Sequence, residues 1–197
     1  MLLIRTAMLY TMEDGAVPQQ GDILMDGGKI RAAGRDLPAQ GAEVLDASGL
    51  TATPGLIDAH SHVGGFAMEG ADLNEITDPV TAQLCAIDAI DIHCDAFKAL
   101  HTFGITAACF VPGSANVVCG TGFVAKTAGD NTVGDLAVLN PAVMKCALGG
   151  NPKGYGKKGK APMTRMGVAD IFRDALRKAR SYLEKKEAAR DGLGEMP

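Results

Sequence analysis

Asp58, His60 and His62 stand at alternate positions in the run PGLIDAHSHVGG, residues 54–65. On a β-strand, side chains two apart point the same way, with successive same-face Cα atoms about 6.6 Å apart, so the acid and both imidazoles share one face. Two imidazoles so placed can converge on one metal ion at about 2.0 to 2.1 Å. Asp58 lies deeper in the strand, where it can orient a ligand from the second shell of contacts. An isolated H-x-H also suits two hydrogen-bonded interior histidines. What favours the metal here is context: a β unit, a Pro-Gly boundary, and an apolar strand that ends at Gly64 and Gly65.

Other chemically capable residues are scattered more thinly. Ser114 and Asn116 in PGSAN follow an apolar run and are candidates to line a substrate site, although loop-shaping hydrogen bonds are the commoner task of these residues in turns. No acid occurs between Asp135 and Asp170, whereas Lys145, Lys153, Lys157, Lys158, Lys160 and Arg165 do. A solvated basic loop explains that bias simply. A functional alternative is a clamp in which Lys157 and Lys158, among glycines that expose backbone amides, hold an anionic substrate group. GYGKKG at 154–159 matches G-x-G-x-x-G in form, but Ala161 lacks the hydroxyl a phosphate loop needs and Pro162 interrupts any helix, so nucleotide binding is not expected. GTGFVA at 120–125 opens no helix and is discounted for the same purpose. Cys109 and Cys146 lack a nearby histidine that would activate them as nucleophiles.

Residues 1–53 carry short apolar runs at Leu2 to Leu9, Asp22 to Met25, Ile30 to Ala33 and Glu43 to Asp46, with DGGK at 26–29 as a hairpin turn. They predict a small β unit. From Pro54 to residue 197 the pattern changes to strands alternating with helices, which predicts parallel βα units. The helices are expected at about 79–103, where Ile87, Ile90, Cys94, Phe97 and His101 recur at three- and four-residue spacing, and at about 165–190. On the second, Val168, Ile171, Phe172, Ala175, Leu176, Ala179 and Leu183 form the apolar face. Strands are expected at 105–111 and 142–148, with a bent hairpin over VVCGTGFVAKTAG and a glycine-rich basic loop over 149–162.

The 197 residues are 47% hydrophobic and 21% charged, ordinary for a globular chain. A net charge of −4 gives no electrostatic reason to expect nucleic acid or an anionic membrane as partner. The five cysteines are odd in number and form no C-x-x-C pair, which suits free thiols in a reducing cytoplasm. The charge-free stretch from Ala99 to Ala125 is broken by Pro112 and glycines, so buried strands explain it better than a membrane span.

PGLIDAHSH, following a small β unit that contains DGGKI, resembles the opening of the metal-dependent amidohydrolase superfamily. GITAACFVPGSANVVCGTGFVAKTAG, AVMKCALGGNPKGYG and PMTRMGVADIFRDAL resemble the imidazolonepropionase-like amidohydrolases within it. The resemblance implies a TIM-type (β/α) barrel, here its first half, preceded by part of a β-sandwich. His60 and His62 would be ligands of a divalent metal, with zinc the expected ion. It also implies hydrolysis of a C–N bond in a cyclic amide, peptide or related small molecule by water whose pKa the metal lowers to about 7.

Two departures qualify this. The resemblance implies an acid, as metal ligand or near neighbour, where Gly150 stands; the nearest ionisable alternative is Lys145, since a carboxylated lysine is a metal ligand in some superfamily members. Only 144 residues follow Thr53 (197 minus 53), against about 250 for a complete barrel. The later ligands that the resemblance implies, two histidines and an aspartate, find no counterpart, since His93 and His101 fall on the first expected helix. The expectation is therefore the N-terminal half of a hydrolase, or a non-catalytic half-barrel, with open sheet edges that invite a complementary chain or a second copy.

Overall fold

The computed structural model describes residues 1–197 except 40, 67–71 and 130–131; part of the polar loop expected after Gly65 thus falls outside the described residues. The chain divides into two compact units, Met1–Gly55 and Leu56–Pro197.

In the first unit, strands β1 (Leu2–Leu9), β2 (Gln19–Asp26), β3 (Lys29–Gly34), β4 (Glu43–Asp46) and β5 (Thr51–Ala52) form one sheet. β2 and β3 pair antiparallel across a turn in which Gly27 and Gly28 take φ of 55° and 72°. Both values are positive, as the favoured two-residue hairpin turn requires, so the DGGK signal is explained by backbone geometry. β1 pairs antiparallel with β2 and parallel with β4 and β5. Its register shifts between Ile4 and Ala7, where Thr6 has φ 65°. Buried Asp22 stabilises that bulge, its carboxylate accepting the N–H groups of Thr6 at 2.9 Å and Leu37 at 3.0 Å.

The second unit holds β6 (Leu56–Ser61), β7 (Ile105–Phe110), β8 (Val118–Lys126) and β9 (Ala137–Cys146) in the order β6-β7-β8-β9. β6 and β7 are parallel, but β8 runs antiparallel to both β7 and β9. The expectation of uninterrupted parallel βα units therefore fails at β8. A seven-residue link, 111–117, joins β7 to β8, too short for the crossover of a dozen or more residues that a parallel return needs. The fold is mixed α/β; among the described residues β6 and β9 do not pair and no closed barrel forms.

The helix expected over 79–103 is also corrected. Only Asp95–Ala99 (α1) is α-helical there, flanked by 3₁₀ turns at Ala86–Asp88 and Leu100–Phe103. Upstream, the backbone spends its hydrogen bonds on β8: Thr81 donates to the Val118 carbonyl and Thr121 to that of Leu84. Side chains then compete for the remaining donors, Asp91 accepting from His93 N–H at 2.8 Å and the Cys94 thiol accepting from Phe97 N–H at 3.4 Å. Gly104 ends the segment, as expected, with φ 79°.

VVCGTGFVAKTAG is not a hairpin. It contains one nine-residue strand, β8, in which Gly120 and Gly122 serve close approach rather than a turn. A Cβ on Gly120 would lie 2.6 Å from the Leu84 carbonyl oxygen, and one on Gly122 2.6 Å from that of Phe110. The core lies on one face of this sheet, where Phe97, Phe110 and Phe123 stack with centroids 5.4 Å apart in succession.

A one-turn helix α2 (Val133–Leu136) precedes β9, and the basic loop after it winds into a 3₁₀ run, Asn151–Lys158. The last element is α3 (Arg165–Arg190), capped by Thr164. Of its expected apolar face, Val168 is buried, Ile171, Phe172 and Ala175 are half-buried, and Leu176, Ala179 and Leu183 are exposed. Among the described residues no helix is long and apolar enough to cross a membrane.

Candidate metal centre

β6 ends at Ser61, so Asp58 and His60 project from the strand and His62 from the first residue beyond it. The Nε2 atoms of His60 and His62 are 3.3 Å apart, with their rings edge to face at 87°. Two nitrogens bound at about 2.05 Å to a tetrahedral ion are separated by about 3.3 to 3.4 Å. The pair is thus spaced to share one ion, and the strand geometry inferred from alternation is realised at the atoms that would bind it.

The His62 ring is held from behind. Nδ1 of His62 lies 2.9 Å from the carbonyl oxygen of Val111, at the end of β7. An N–H there donates to the carbonyl and leaves the Nε2 lone pair facing the partner histidine. Asp58 acts through the backbone: its carboxylate accepts the His60 N–H at 3.0 Å. Burial, then the nearby charges of Lys145 and His62, push the His60 pKa down, against an opposing pull from Asp58. The neutral imidazole is therefore favoured, and it is the form a metal requires.

Lys145 reaches the same point from β9, its Nζ 3.0 Å from His60 Nε2. It stands opposite Gly120 of β8, so no side chain on that neighbour intervenes. His60, His62 and Lys145 are thus brought together. Among the described residues no cluster of three or more histidine, cysteine, aspartate or glutamate side chains is placed to hold a metal. Among the described residues a third protein donor would have to be the Lys145 amine without its proton, or its carboxylated form. At Gly150, where the resemblance implies an acid, a Cβ would meet no atom within 4 Å.

The remaining candidates separate. Ser114 accepts a hydrogen bond from Asn151 Nδ2 at 2.7 Å. Asn116 is buried, and its amide hydrogens go to the Glu75 carbonyl and Thr81 Oγ1. The hydroxyl of Tyr155 donates to Asn116 Oδ1 at 2.6 Å, with the Asp78 carbonyl 2.7 Å away as a second acceptor. Asn116 is therefore a structural tie, with no amide hydrogen left for a ligand. Lys157 and Lys158 are exposed at the end of the 3₁₀ run. Burial raises the thiol pKa of both Cys109 and Cys146, which opposes nucleophilic use. Sequence reasoning missed Tyr155, Asn151 and the Val111 carbonyl. The last is a backbone atom, which no residue type announces.

No family model matches the chain. Amidohydrolase tasK of Hapsidospora irregularis is 30% identical over 98% of this chain and 23% of its own length. The crystal structure of an amidohydrolase from Thermotoga maritima superposes on 100% of this chain and 52% of that one, with TM-score 0.88 and 36% identity. The chain belongs to the amidohydrolase superfamily. A dihydroorotase of Lactobacillus johnsonii extends the relationship at 36% identity, over 39% of this chain and 24% of the enzyme. The chain spans between about a quarter and a half of the length of these relatives.

Proposed function

We propose that this chain carries the first two metal ligands of an amidohydrolase centre that hydrolyses a C–N bond in a cyclic amide, peptide or related small molecule. The observation that carries the proposal is the 3.3 Å separation of the two Nε2 atoms, the spacing of two ligands on one tetrahedral ion. Relatives named amidohydrolase and dihydroorotase support the reaction class, and the narrower imidazolonepropionase-like kinship accords with the sequence stretches that resemble that group. The whole would be the first half of a TIM-type barrel, residues 54–197, preceded by a β-sandwich part, residues 1–53. Five free thiols suit a cytoplasmic location.

A divalent ion bound here, zinc by its preference for imidazole, would supply an activated water and polarise the carbonyl under attack. The protein's own part is positional. Val111 fixes the His62 tautomer, Asp58 fixes the His60 backbone, and Lys145 stands beside His60 as a third donor once it loses a proton or is carboxylated. Ser114 and the lysines of the 3₁₀ run approach from the same end of the sheet, where they would meet substrate.

A second reading is favoured by one observation: β9 is a sheet edge that exposes Val138, Leu139, Val143 and Met144. It takes the chain as a subunit or assembly module completed by a complementary chain or a second copy. One experiment addresses both readings. Zinc is titrated into the purified chain and into His60→Ala and His62→Ala, and ring opening of a dihydroorotate-type cyclic amide is followed in parallel. Zinc uptake and turnover that both variants abolish support the enzyme. Uptake without turnover supports the module, and no specific uptake overturns the metal centre.

A further inference from the structure

Helix α3 is embedded only near its start. Val168 is buried and Phe172 half-buried, but Leu176 and Leu183 are each 55% exposed. Residues three and four apart share one stripe of a helix, so Phe172, Leu176, Ala179 and Leu183 form a single apolar line. Among the described residues nothing buries its outer part.

A second line runs beside it. Arg173, Arg177, Arg180, Glu184, Glu187 and Asp191 follow at spacings of four, three, four, three and four residues, and all are exposed. The first four each stand one residue after a member of the apolar line, so the charges flank it along its length. The sign changes once, from three cations to three anions, around Tyr182. Arg180 and Glu184 pair with each other at 2.9 Å, and Arg177 leans on Asp174 at 3.6 Å. Among the described residues Arg173, Glu187 and Asp191 have no ion-pair partner.

This order does not serve the helix itself. The macrodipole favours anions at the N-terminal end and cations at the C-terminal end, and an acid placed before a base makes the better pair four residues apart. Here Arg180 precedes Glu184, and Asp191 stands at the C-cap. Turned end for end about Tyr182, however, the line is its own complement: Arg173 meets Asp191, Arg177 meets Glu187 and Arg180 meets Glu184. A parallel partner would set like charges against each other.

We infer that α3 is a self-complementary docking surface for a second copy of this chain, the two helices running antiparallel across a two-fold axis at Tyr182. Ala179 and Leu183 of both copies pack around the axis, and each of the three ion pairs occurs twice by symmetry. The contact runs from Phe172 to Asp191, about 30 Å at 1.5 Å per residue. The charge order selects this occupant, because an apolar partner would leave Arg173, Glu187 and Asp191 as unpaired as they are in one copy. Pairing also gives the outer half of α3 the support that a helix of its length lacks in water. The surface shares no residue with the histidine pair or with β9, so it goes beyond the completion of the site considered above.

Sedimentation equilibrium tests the pairing, on the full chain carrying Val138→Lys and Met144→Lys to remove β9 as a competing surface. A dimer with a Kd on the order of ten to a hundred micromolar is expected for so narrow an interface, weakened several-fold between about 50 and about 500 mM salt. Arg173→Glu with Arg177→Glu and Arg180→Glu makes the line wholly anionic; Glu184→Lys with Glu187→Lys and Asp191→Lys makes it wholly cationic. Each triple variant should raise the Kd by at least about tenfold. All six changes in one chain make the line its own antiparallel complement again, and should bring the Kd back to within about threefold of the parent. Because the six side chains are exposed, circular dichroism at concentrations well below the Kd should be the same for every variant. A chain that stays monomeric at all concentrations, triple variants that dimerise as the parent does, or a sixfold reversal that fails to recover dimerisation would overturn the assignment.

Discussion

Nζ of Lys145 lies 3.0 Å from Nε2 of His60, across 85 residues of sequence and two strands of sheet. That nitrogen also faces His62, so a lysine N–H and a metal ion compete for one lone pair. In buffer free of bicarbonate, Lys145→Met should tighten zinc binding several-fold, because the competing donor is gone. Added bicarbonate should strengthen zinc binding by the native chain and leave the variant unchanged, since only a carboxylated lysine offers the ion an oxygen. Zinc titrations under the two conditions check both statements; an identical response of the two proteins would exclude Lys145 from the site.

Position 150 offers a gain-of-function counterpart. Gly150 has φ −73° and ψ −38°, open to any residue, and free space where a Cβ would stand. Gly150→Glu should therefore fold at least as well as the native chain, with a gain of about 0.4 to 1 kcal/mol from the reduced freedom of the unfolded state. If the acid reaches the histidine pair, zinc affinity rises by about tenfold, as one added carboxylate ligand warrants. Urea unfolding and zinc titration of one preparation separate the two effects.

How far the sequence spoke depended on which atoms carried the information. The β6 site was legible because alternation of Asp58, His60 and His62 is itself strand geometry, and the hairpin at Gly27 and Gly28 because only glycine takes those angles cheaply. The segment 79–103 was misread because Ile87, Ile90, Cys94 and Phe97 have helical spacing, although of these only Phe97 lies in α1 and the backbone before it is a series of tight turns. Nothing in that spacing shows that Thr81 and Leu84 spend their hydrogen bonds on β8. The direction of β8 was hidden likewise, since it is set by the length of the link from β7 and not by the strand's own residues. Asn116 has the right type for a substrate contact, and only its burial shows that its amide is already used.

Tyr155 ties the 3₁₀ run to the strand loops, and its removal is a test of that network. Tyr155→Phe leaves Asn116 Oδ1 and the Asp78 carbonyl without their shared donor, at a cost of about 1 to 3 kcal/mol for buried polar groups. Burial, with Asp78, Glu75 and Cys119 nearby, pushes the Tyr155 pKa from 10.0 up to about 12. A raised folded-state pKa means the phenol form is stabilised by folding. That stability is complete below pH 10 and is lost as pH rises through about 12. A step in tyrosinate absorbance near pH 12 is expected in the native chain and absent from Tyr155→Phe.

β9 makes the last prediction. It is an edge strand by pairing, and Val138, Leu139, Val143 and Met144 on it are 43% to 57% exposed. Unpaired backbone groups beside a row of apolar side chains template pairing with another chain, and charged residues on an edge suppress it. The isolated chain should therefore self-associate reversibly at concentrations on the order of micromolar to millimolar. Val138→Lys with Met144→Lys should shift sedimentation toward monomer at equal concentration. Because both side chains are about half exposed, the circular dichroism of the double variant should match that of the native chain. Sedimentation that does not change between the two proteins would show that β9 is not the surface that associates.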